Sequence, residues 1–242
     1  MKICAAQTRP VKGDIQANID HHKKLIGLAI SSRADIIIFP ELSLTGYEPA
    51  LAKELATDKD DYRFDDFQII SDTKQITIGV GFPLKCDKGI QISMLIFQPH
   101  QLRQTYAKQH LHADEYPYFI NGQQQVFLTV NKSKIALAIC YELSIPEHSE
   151  KAFDSGANIY IASVAKTANG VEKAVKSLSA IANKYSMTVL MSNCVGHCDN
   201  FECGGKTSAW NRKGLLIGEL DDTNEGIIIL DTDTQELIEI TI

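Results

Sequence analysis

The sequence predicts a layered α/β fold, and three observations support this prediction. Along almost the whole chain of 242 residues, apolar runs of strand length alternate with segments whose apolar residues recur at helical spacing. Hydrophobic residues make up 44% and charged residues 22%, a balance typical of a globular protein with a sizeable core. No linker, repeat or low-complexity tract interrupts this pattern, so we expect one domain that spans residues 1–242.

The N-terminal half begins with a strand and an amphipathic helix. Lys2–Gln7 is an apolar run, and Asp14 then caps a helix that ends near Arg33. The run Ile36–Phe39 predicts a buried strand that stops at Pro40. After a more polar segment, three strand-like runs predict a meander in the middle of the sheet: Ile76–Phe82, Ile90–Phe97 and Leu102–Ala107.

The C-terminal half continues this alternation. A hairpin turn at 131–133 joins the predicted strands Val126–Val130 and Lys134–Ile139. Pro146 suits the first turn of a helix that runs to Gly156. A predicted strand (Asn158–Ser163), a helix (Asn169–Tyr185) and another strand (Met187–Ser192) follow. After a loop that contains Gly and Cys, the pattern predicts three short strands: Thr207–Trp210, Leu215–Leu220 and Glu225–Leu230.

Charge and composition exclude several functional classes. Twenty-four Lys and Arg against thirty Asp and Glu give a formal charge of -6, which offers no electropositive surface for nucleic acid. No apolar stretch approaches the ~20 residues that span a bilayer, and the first residues lack the character of a signal peptide. Six cysteines are too sparse here for a disulfide-stapled secreted domain, so we expect free thiols and a cytoplasmic protein.

Three side chains with useful chemistry directly follow apolar strands: Glu41, Lys108 and Cys140. Taken singly, such residues are more often a cap, a surface charge and a small buried side chain. Catalytic groups of α/β proteins nevertheless collect at strand ends. A buried carboxylate could take the proton of a thiol, and an ammonium could stabilise the oxyanion formed when a carbonyl or nitrile carbon is attacked.

The segments around these residues carry a family resemblance. They are 39–47 (FPELSLTGY), 106–111 (YAKQHL) and 140–147 (CYELSIPE), followed by landmarks at 193–196 (NCVG) and 205–214. In order and spacing, from residue 1 to about 220, they resemble the nitrilase or carbon-nitrogen hydrolase superfamily. This resemblance implies a four-layer αββα sandwich that hydrolyses a carbon-nitrogen bond other than a peptide bond, without metal or organic cofactor.

The resemblance also implies a role for each residue of a Glu-Lys-Cys triad. Glu41 would be the general base, and Cys140 would be the nucleophile that forms a thioester. Lys108 would stabilise the tetrahedral intermediate, and Glu115 matches a second family glutamate that positions this lysine and could assist proton transfer.

Substrate contacts are implied by the same motifs. Tyr47 ends the glutamate segment, the backbone N–H of Tyr141 would complete the oxyanion site, and Ala165 lies near a position where many members carry Trp. The chain also has Ser144 where many members have Arg, and Lys-Tyr at 184–185 where they have Glu-Asn. These departures leave the triad intact but bear on the substrate.

The expected substrate is a small linear amide. Nitrile or N-carbamoyl-amide hydrolysis would use the same triad, and a catalytically silent binding module on the same fold is an alternative of a different class. Family members usually pair through helices beside the active site, so the resemblance implies a homodimer or larger homo-oligomer.

Four potential metal ligands lie close together in the sequence: Cys194, His197, Cys198 and Cys203. A closed zinc site is chemically possible with such donors. Their spacing is not a paired CxxC pattern, however, and the segment coincides with the family landmark at 193–196. We therefore predict structural thiols here and no metal.

Two glycine-containing segments match nucleotide-binding motifs only in part. The segment 204–207 (GGKT) has Asn200 where a phosphate-binding loop needs glycine. Gly79 and Gly81 form part of a dinucleotide fingerprint, and we predict that they permit close packing in a strand instead.

Overall fold

Two large β-sheets, one separate two-stranded hairpin and flanking helices make up the protein, which a computed structural model describes over residues 1–242. The strands are β1 Lys2–Gln7, β2 Ile36–Ile38, β3 Thr77–Cys86, β4 Gly89–Phe97, β5 Gln104–Ala107, β6 Phe127–Val130, β7 Ser133–Ile139, β8 Ile159–Ser163, β9 Thr188–Ser192, β10 Val195–Cys198, β11 Phe201–Gly204, β12 Ser208–Trp210, β13 Leu216–Glu219, β14 Gly226–Asp231 and β15 Leu237–Thr241. The α-helices are α1 Ile15–Ser31, α2 Ala52–Leu55, α3 Asp65–Lys74, α4 Pro146–Asp154 and α5 Ala168–Tyr185. None of the helices is both long and apolar enough to cross a membrane.

Each sheet has a parallel centre and antiparallel margins. The first has the order β15-β14-β1-β2-β3-β4-β5, and the second has the order β13-β12-β9-β8-β7-β6. Strands β1, β2 and β3 are parallel, as are β7, β8 and β9, and α1, α3, α4 and α5 lie in the connections between these parallel neighbours. The predicted meander β3-β4-β5 is antiparallel, but its expected central position is wrong. It forms one edge of the first sheet because the next strand in the chain, β6, joins the second sheet.

Three hydrophobic clusters define the layers. The largest lies between the sheets and contains Ile38 from the first and Leu137 from the second. A second cluster packs the other face of the first sheet against α1 and α3, and a third packs the second sheet against α4 and α5. Since side chains alternate along a strand, Ile3 faces the inter-sheet core while Cys4 faces the helices. The predicted four-layer αββα sandwich is confirmed.

Local turn chemistry explains the hairpin between β6 and β7. Asn131 and Lys132 have φ of 46° and 71°, the left-handed values that two-residue hairpin turns require, and Asn tolerates this region well. The hairpin predicted at 131–133 is therefore confirmed.

Some elements differ from the sequence prediction. The polar segment after β2 contains α2 and α3, and α3 buries only Phe67 and Ser71. The loop expected after β9 forms the hairpin β10-β11, and β15 adds an edge strand. Helix α3 buries few side chains and β15 lies at an edge, so their apolar pattern is weak, and the strands of the β10-β11 hairpin are only four residues long.

Candidate active site

Three loops that follow strands meet between the two sheets. Glu41 follows β2, Lys108 follows β5, and Cys140 follows β7. Lys108 Nζ donates hydrogen bonds to Glu41 Oε1 at 2.8 Å and to Glu115 Oε1 at 2.6 Å. The lysine and both carboxylates are almost fully buried. Glu41 and Glu115 are 74 positions apart in the sequence, so no single helix or strand could place both beside Lys108.

Glycine allows the Glu41 loop to lie against the neighbouring strand. A Cβ atom on Gly81 would lie 2.4 Å from the backbone nitrogen of Leu42 and 2.5 Å from the carbonyl oxygen of Pro40. The close packing predicted for this glycine is confirmed. Across the sheet interface, the Ser163 hydroxyl donates to the carbonyl of Phe39 at 2.8 Å, which fixes the loop against the second sheet.

Two hydrogen bonds fix the backbone of Lys108. Its N–H donates to the carbonyl of Ile92 at 2.9 Å, and its carbonyl accepts from the N–H of Gly122 at 2.7 Å. A Cβ on Gly122 would lie 2.2 Å from the carbonyl oxygen of Ala107, so only glycine allows this approach. The ammonium therefore projects from a backbone that is anchored on both sides.

Cys140 stands at a sharp turn between β7 and a 3₁₀ helix, Cys140–Ser144. Its φ is +47°, a left-handed value that is strained for a residue with a side chain. This is the geometry of a nucleophile elbow, which presents a side chain at the top of a strand. The thiol is half-buried, and Sγ lies 4.0 Å from the carbonyl oxygen of Ala165.

Glu142, two residues beyond the cysteine, organises the loops in a way that the sequence analysis missed. Its Oε2 accepts hydrogen bonds from the N–H of Ile139 at 2.7 Å and the hydroxyl of Tyr106 at 2.6 Å. Its Oε1 accepts from the N–H of Gln109 at 2.5 Å. One buried carboxylate therefore ties the residue before Cys140 to the residue after Lys108. The only sequence signal was an acidic residue inside an otherwise apolar turn.

Burial and charge set the protonation states of the triad. Burial raises the pKa of Glu41 above its usual value, although Lys108 opposes this shift. Burial would lower the pKa of Lys108, but the charges of Glu41 and the other acidic groups raise it overall. Burial and the Glu41 charge raise the pKa of Cys140 to about 11, against the positive charges of Lys166 and Lys108. At neutral pH the cysteine is therefore a thiol that needs a base.

Glu41 offers such a base. Its Oε1 accepts from Lys108, whereas its Oε2 is buried without a hydrogen-bond partner. The negative charge of Glu41 raises the pKa of Cys140, and the thiol in turn lowers the pKa of Glu41, so the two groups lie close enough to interact. Oε2 is the atom that can accept the thiol proton.

A second layer of contacts holds Glu115. The Tyr47 hydroxyl donates to Glu115 Oε1 at 2.9 Å, and the N–H of His112 donates to Oε2 at 2.8 Å. Burial, together with the charges of Glu41 and Glu115, raises the pKa of Tyr47, so its hydroxyl remains a donor. Tyr47 thus contacts a glutamate of the site directly.

The other expected substrate contacts flank the thiol. The Tyr141 side chain is 36% exposed and packs edge-on against His112. Ala165 is buried and presents its carbonyl to the thiol. Lys166, which the sequence analysis did not single out, is half-buried, and no carboxylate lies within ion-pair distance of its ammonium. The sequence could not show that Lys166 lacks an acidic partner, because this depends on which residues the fold places near it.

One cluster of side chains could hold a metal ion, and it lies outside the triad. It consists of the thiols of Cys194, Cys198 and Cys203, whose sulfur atoms all lie within 4.8 Å of one another.

Comparisons with known proteins agree with this fold. The carbon-nitrogen hydrolase family model matches residues 2–241. The 2-oxoglutaramate amidase of Bacillus subtilis is 26% identical over 216 residues, which are 87% of this chain and 82% of that protein. The glutamine-dependent NAD(+) synthetase of Thermotoga maritima is 23% identical over 252 residues, and this chain spans only 44% of its length.

A solved structure has the same architecture. It is a mutant of the amidase from Nesterenkonia sp. AN1 in complex with butyramide, with a TM-score of 0.88 and 21% identity. The match covers 97% of this chain and 92% of the amidase.

Proposed function

The chain belongs to the carbon-nitrogen hydrolase family and is a hydrolase of carbon-nitrogen bonds, and we propose that it cleaves a small linear amide through a thioester on Cys140. The observation that carries this proposal is the buried ammonium of Lys108, bonded to Glu41 and Glu115. A general base with a free oxygen, a cation and a thiol at a strained turn are the parts that acyl transfer needs.

The first half-reaction forms the thioester. Glu41 Oε2 takes the thiol proton while Cys140 Sγ attacks the amide carbon, and the carbonyl π electrons move to oxygen. Two of the three ammonium N–H bonds of Lys108 are engaged by the glutamates, so the third can face this oxyanion together with the backbone N–H of Tyr141. The intermediate collapses, the carbon-nitrogen bond breaks, and Glu41 returns the proton to the departing amine or ammonia.

The second half-reaction uses the same groups. Glu41 removes a proton from water, whose oxygen attacks the thioester carbon. Collapse of the second intermediate breaks the carbon-sulfur bond, and the thiolate recovers its proton from Glu41. The products are a carboxylic acid and the free enzyme. Glu115 positions Lys108 in both halves.

We propose further that the amide substrate carries a carboxylate. Lys166 directly follows the residue whose carbonyl faces Cys140, and its positive charge acts on the thiol. Lys166 is half-buried and no carboxylate of the chain lies within ion-pair distance of it, so a substrate carboxylate would supply the opposite charge. The name of one relative, 2-oxoglutaramate amidase, also specifies a carboxylate-bearing amide.

The catalytic proposal is tested with substitutions of two cysteines. Cys140→Ala should abolish amide hydrolysis, whereas Cys86→Ser, at a half-exposed thiol in the β3-β4 hairpin, should leave the rate unchanged. Mass spectrometry of the wild-type protein should trap an acyl adduct on Cys140. Turnover by Cys140→Ala would contradict the proposal. No product from any amide, nitrile or N-carbamoyl amide would favour the silent binding module.

The substrate proposal is tested with a charged and a neutral amide. For succinamate, Lys166→Gln should lower kcat/KM roughly ten- to a hundredfold, since a charge-assisted hydrogen bond contributes about 1.5–3 kcal/mol. For butyramide, the rate should not change. Lys173→Gln, at an exposed lysine of α5, is the matched control. Equal losses for both amides would contradict a role in carboxylate recognition.

We also propose a homodimer that pairs through α4 and α5. Phe153 on α4 is 48% exposed, and its ring lies 5.2 Å from that of Tyr185 on α5. The exposed Phe153 ring thus lies on α4, and both α4 and α5 contact the 3₁₀ helix beginning with Cys140. Sedimentation should give a dimer for the wild type and a monomer for Phe153→Glu. A monomeric wild type would contradict the proposal.

A further inference from the structure

A cluster of three buried thiols lies in the hairpin β10-β11. Cys203 on β11 is paired with Gly196 on β10, and Cys194 and Cys198 lie two residues to either side of this glycine. Because side chains alternate along a strand, all three cysteines project to the same face of the hairpin. The Cys203 sulfur is 2.6 Å from that of Cys194 and 3.3 Å from that of Cys198.

His197, the fourth donor suggested by the sequence, is not part of this cluster. It lies between Gly196 and Cys198, so its side chain projects to the opposite face. Its imidazole is 69% exposed and lies 3.5 Å from the Glu202 carboxylate. The ligand set that the fold assembles is therefore three sulfurs, without histidine.

The cluster is buried and poorly satisfied by neutral thiols. The three cysteines are 1%, 1% and 3% exposed. Their thiols form a chain of donors from Cys194 to Cys203 to Cys198, and thiols are weak donors and acceptors. The three buried sulfurs are therefore held together by weak contacts alone, and an ion that bonds to all three would satisfy them better.

We propose that Cys194, Cys198 and Cys203 form a binding site for a thiophilic d¹⁰ metal ion, Zn²⁺ or Cu⁺. Soft thiolates select such ions over Mg²⁺ or Ca²⁺. With metal-sulfur bonds of about 2.3 Å, three sulfurs around one ion are separated by roughly 4 Å. The present sulfurs lie within that range or closer, so small rotations of the side chains would open the site. As each metal-sulfur bond forms, the proton of that thiol is released to solvent.

The three-sulfur set distinguishes the two ions. Cu⁺ can be bound by three thiolates alone, whereas Zn²⁺ favours four ligands and would have to recruit a further donor. Zn²⁺ and Cu⁺ are therefore titrated separately, and binding of either ion should require all three sulfurs.

The thiol hairpin and the candidate active site share one neighbour, Tyr47. Its hydroxyl donates to Glu115 at 2.9 Å, and its ring lies 5.7 Å from that of Phe201 on β11.

The test is metal binding by the full chain, reduced, stripped of metal by a chelator and kept anaerobic. Titration with Zn²⁺, and separately with Cu⁺, should load one ion per chain, measured by elemental analysis after desalting. Cys198→Ser and Cys203→Ser should lose this ion. Cys86→Ser should retain it, and so should Cys140→Ala, which excludes binding at the proposed nucleophile. Circular dichroism identifies variants that fail to fold, and Cys194→Ser provides a third independent substitution.

Three results would overturn the proposal. They are a wild type that retains neither ion, folded cysteine variants that bind as much metal as the wild type, and an isolated protein whose intact mass is lower by two hydrogens. The last result would identify a disulfide in place of a metal site.

Discussion

Replacing Glu142 with Gln removes one acceptor from a buried site where three donors converge. The carboxylate accepts from the N–H groups of Gln109 and Ile139 and from the Tyr106 hydroxyl. Gln supplies a single oxygen, so its amide N–H₂ must face one of the backbone N–H groups. An unsatisfied buried donor costs about 1–3 kcal/mol. We expect a loss of about 2 kcal/mol in the free energy of unfolding.

Activity should fall as well, because Gln109 follows Lys108 and Ile139 precedes Cys140. A displacement of the order of 1 Å at a reacting group can lower the rate by about a hundredfold, so kcat should fall roughly ten- to a hundredfold. Burial raises the pKa of Glu142 to about 7, and the comparison is therefore made at pH 8, where the carboxylate predominates.

Urea denaturation and steady-state kinetics measure the two effects. Glu147→Gln is the matched control, since Glu147 lies five residues further on and is exposed. The reasoning is refuted if the free energy of unfolding of Glu142→Gln lies within about 0.5 kcal/mol of the wild-type value and its kcat is unchanged. Changes of that size are typical of surface substitutions.

Three further predictions concern the residues around the base. Burial raises the pKa of Glu41, so kcat/KM should fall on acidification at a higher pH than an exposed glutamate would require, and a pH-rate profile measures this. Gly81→Ala should cost about 1–3 kcal/mol in urea denaturation and lower kcat, whereas Gly27→Ala, on an open face of α1, should stabilise by about 0.5–1 kcal/mol. Tyr47→Phe should cost about 1 kcal/mol and lower kcat, because Glu115 loses a hydrogen bond.

The strands could be predicted from the sequence because most are buried on both faces. Such strands are continuous apolar runs, so β1, predicted at Lys2–Gln7, was located to the residue. The edge strand β15 has a different pattern, with the exposed Ile238 and Glu239 between half-buried residues, and was missed. Helix α3 was missed because it buries few side chains. Local patterns thus predict the elements that build the core and fail at the margins.

The site was predictable only in part. Position after a strand identifies Glu41 and Cys140 as candidates, since the residue type and the strand end are both visible in the sequence. The role of Glu142 depends on partners 33 and 36 residues away, which no local pattern relates to it. The exclusion of His197 from the thiol cluster required the alternation of β10, and that strand was not predicted.

The balance of charge explains why a thiol with a raised pKa suits this site. The buried triad and Glu115 hold two carboxylates against one ammonium, and Lys166 adds a positive charge from outside this group. Burial is the main reason for the Cys140 pKa of about 11, and the charge of Glu41 adds to it, because a preformed thiolate would be a further negative charge in a buried region. Transfer of the proton from Cys140 to Glu41 leaves the net charge unchanged. Attack on the amide then moves the new charge onto an oxygen that Lys108 can reach, so the site bears a strong nucleophile only while a substrate accepts its electrons.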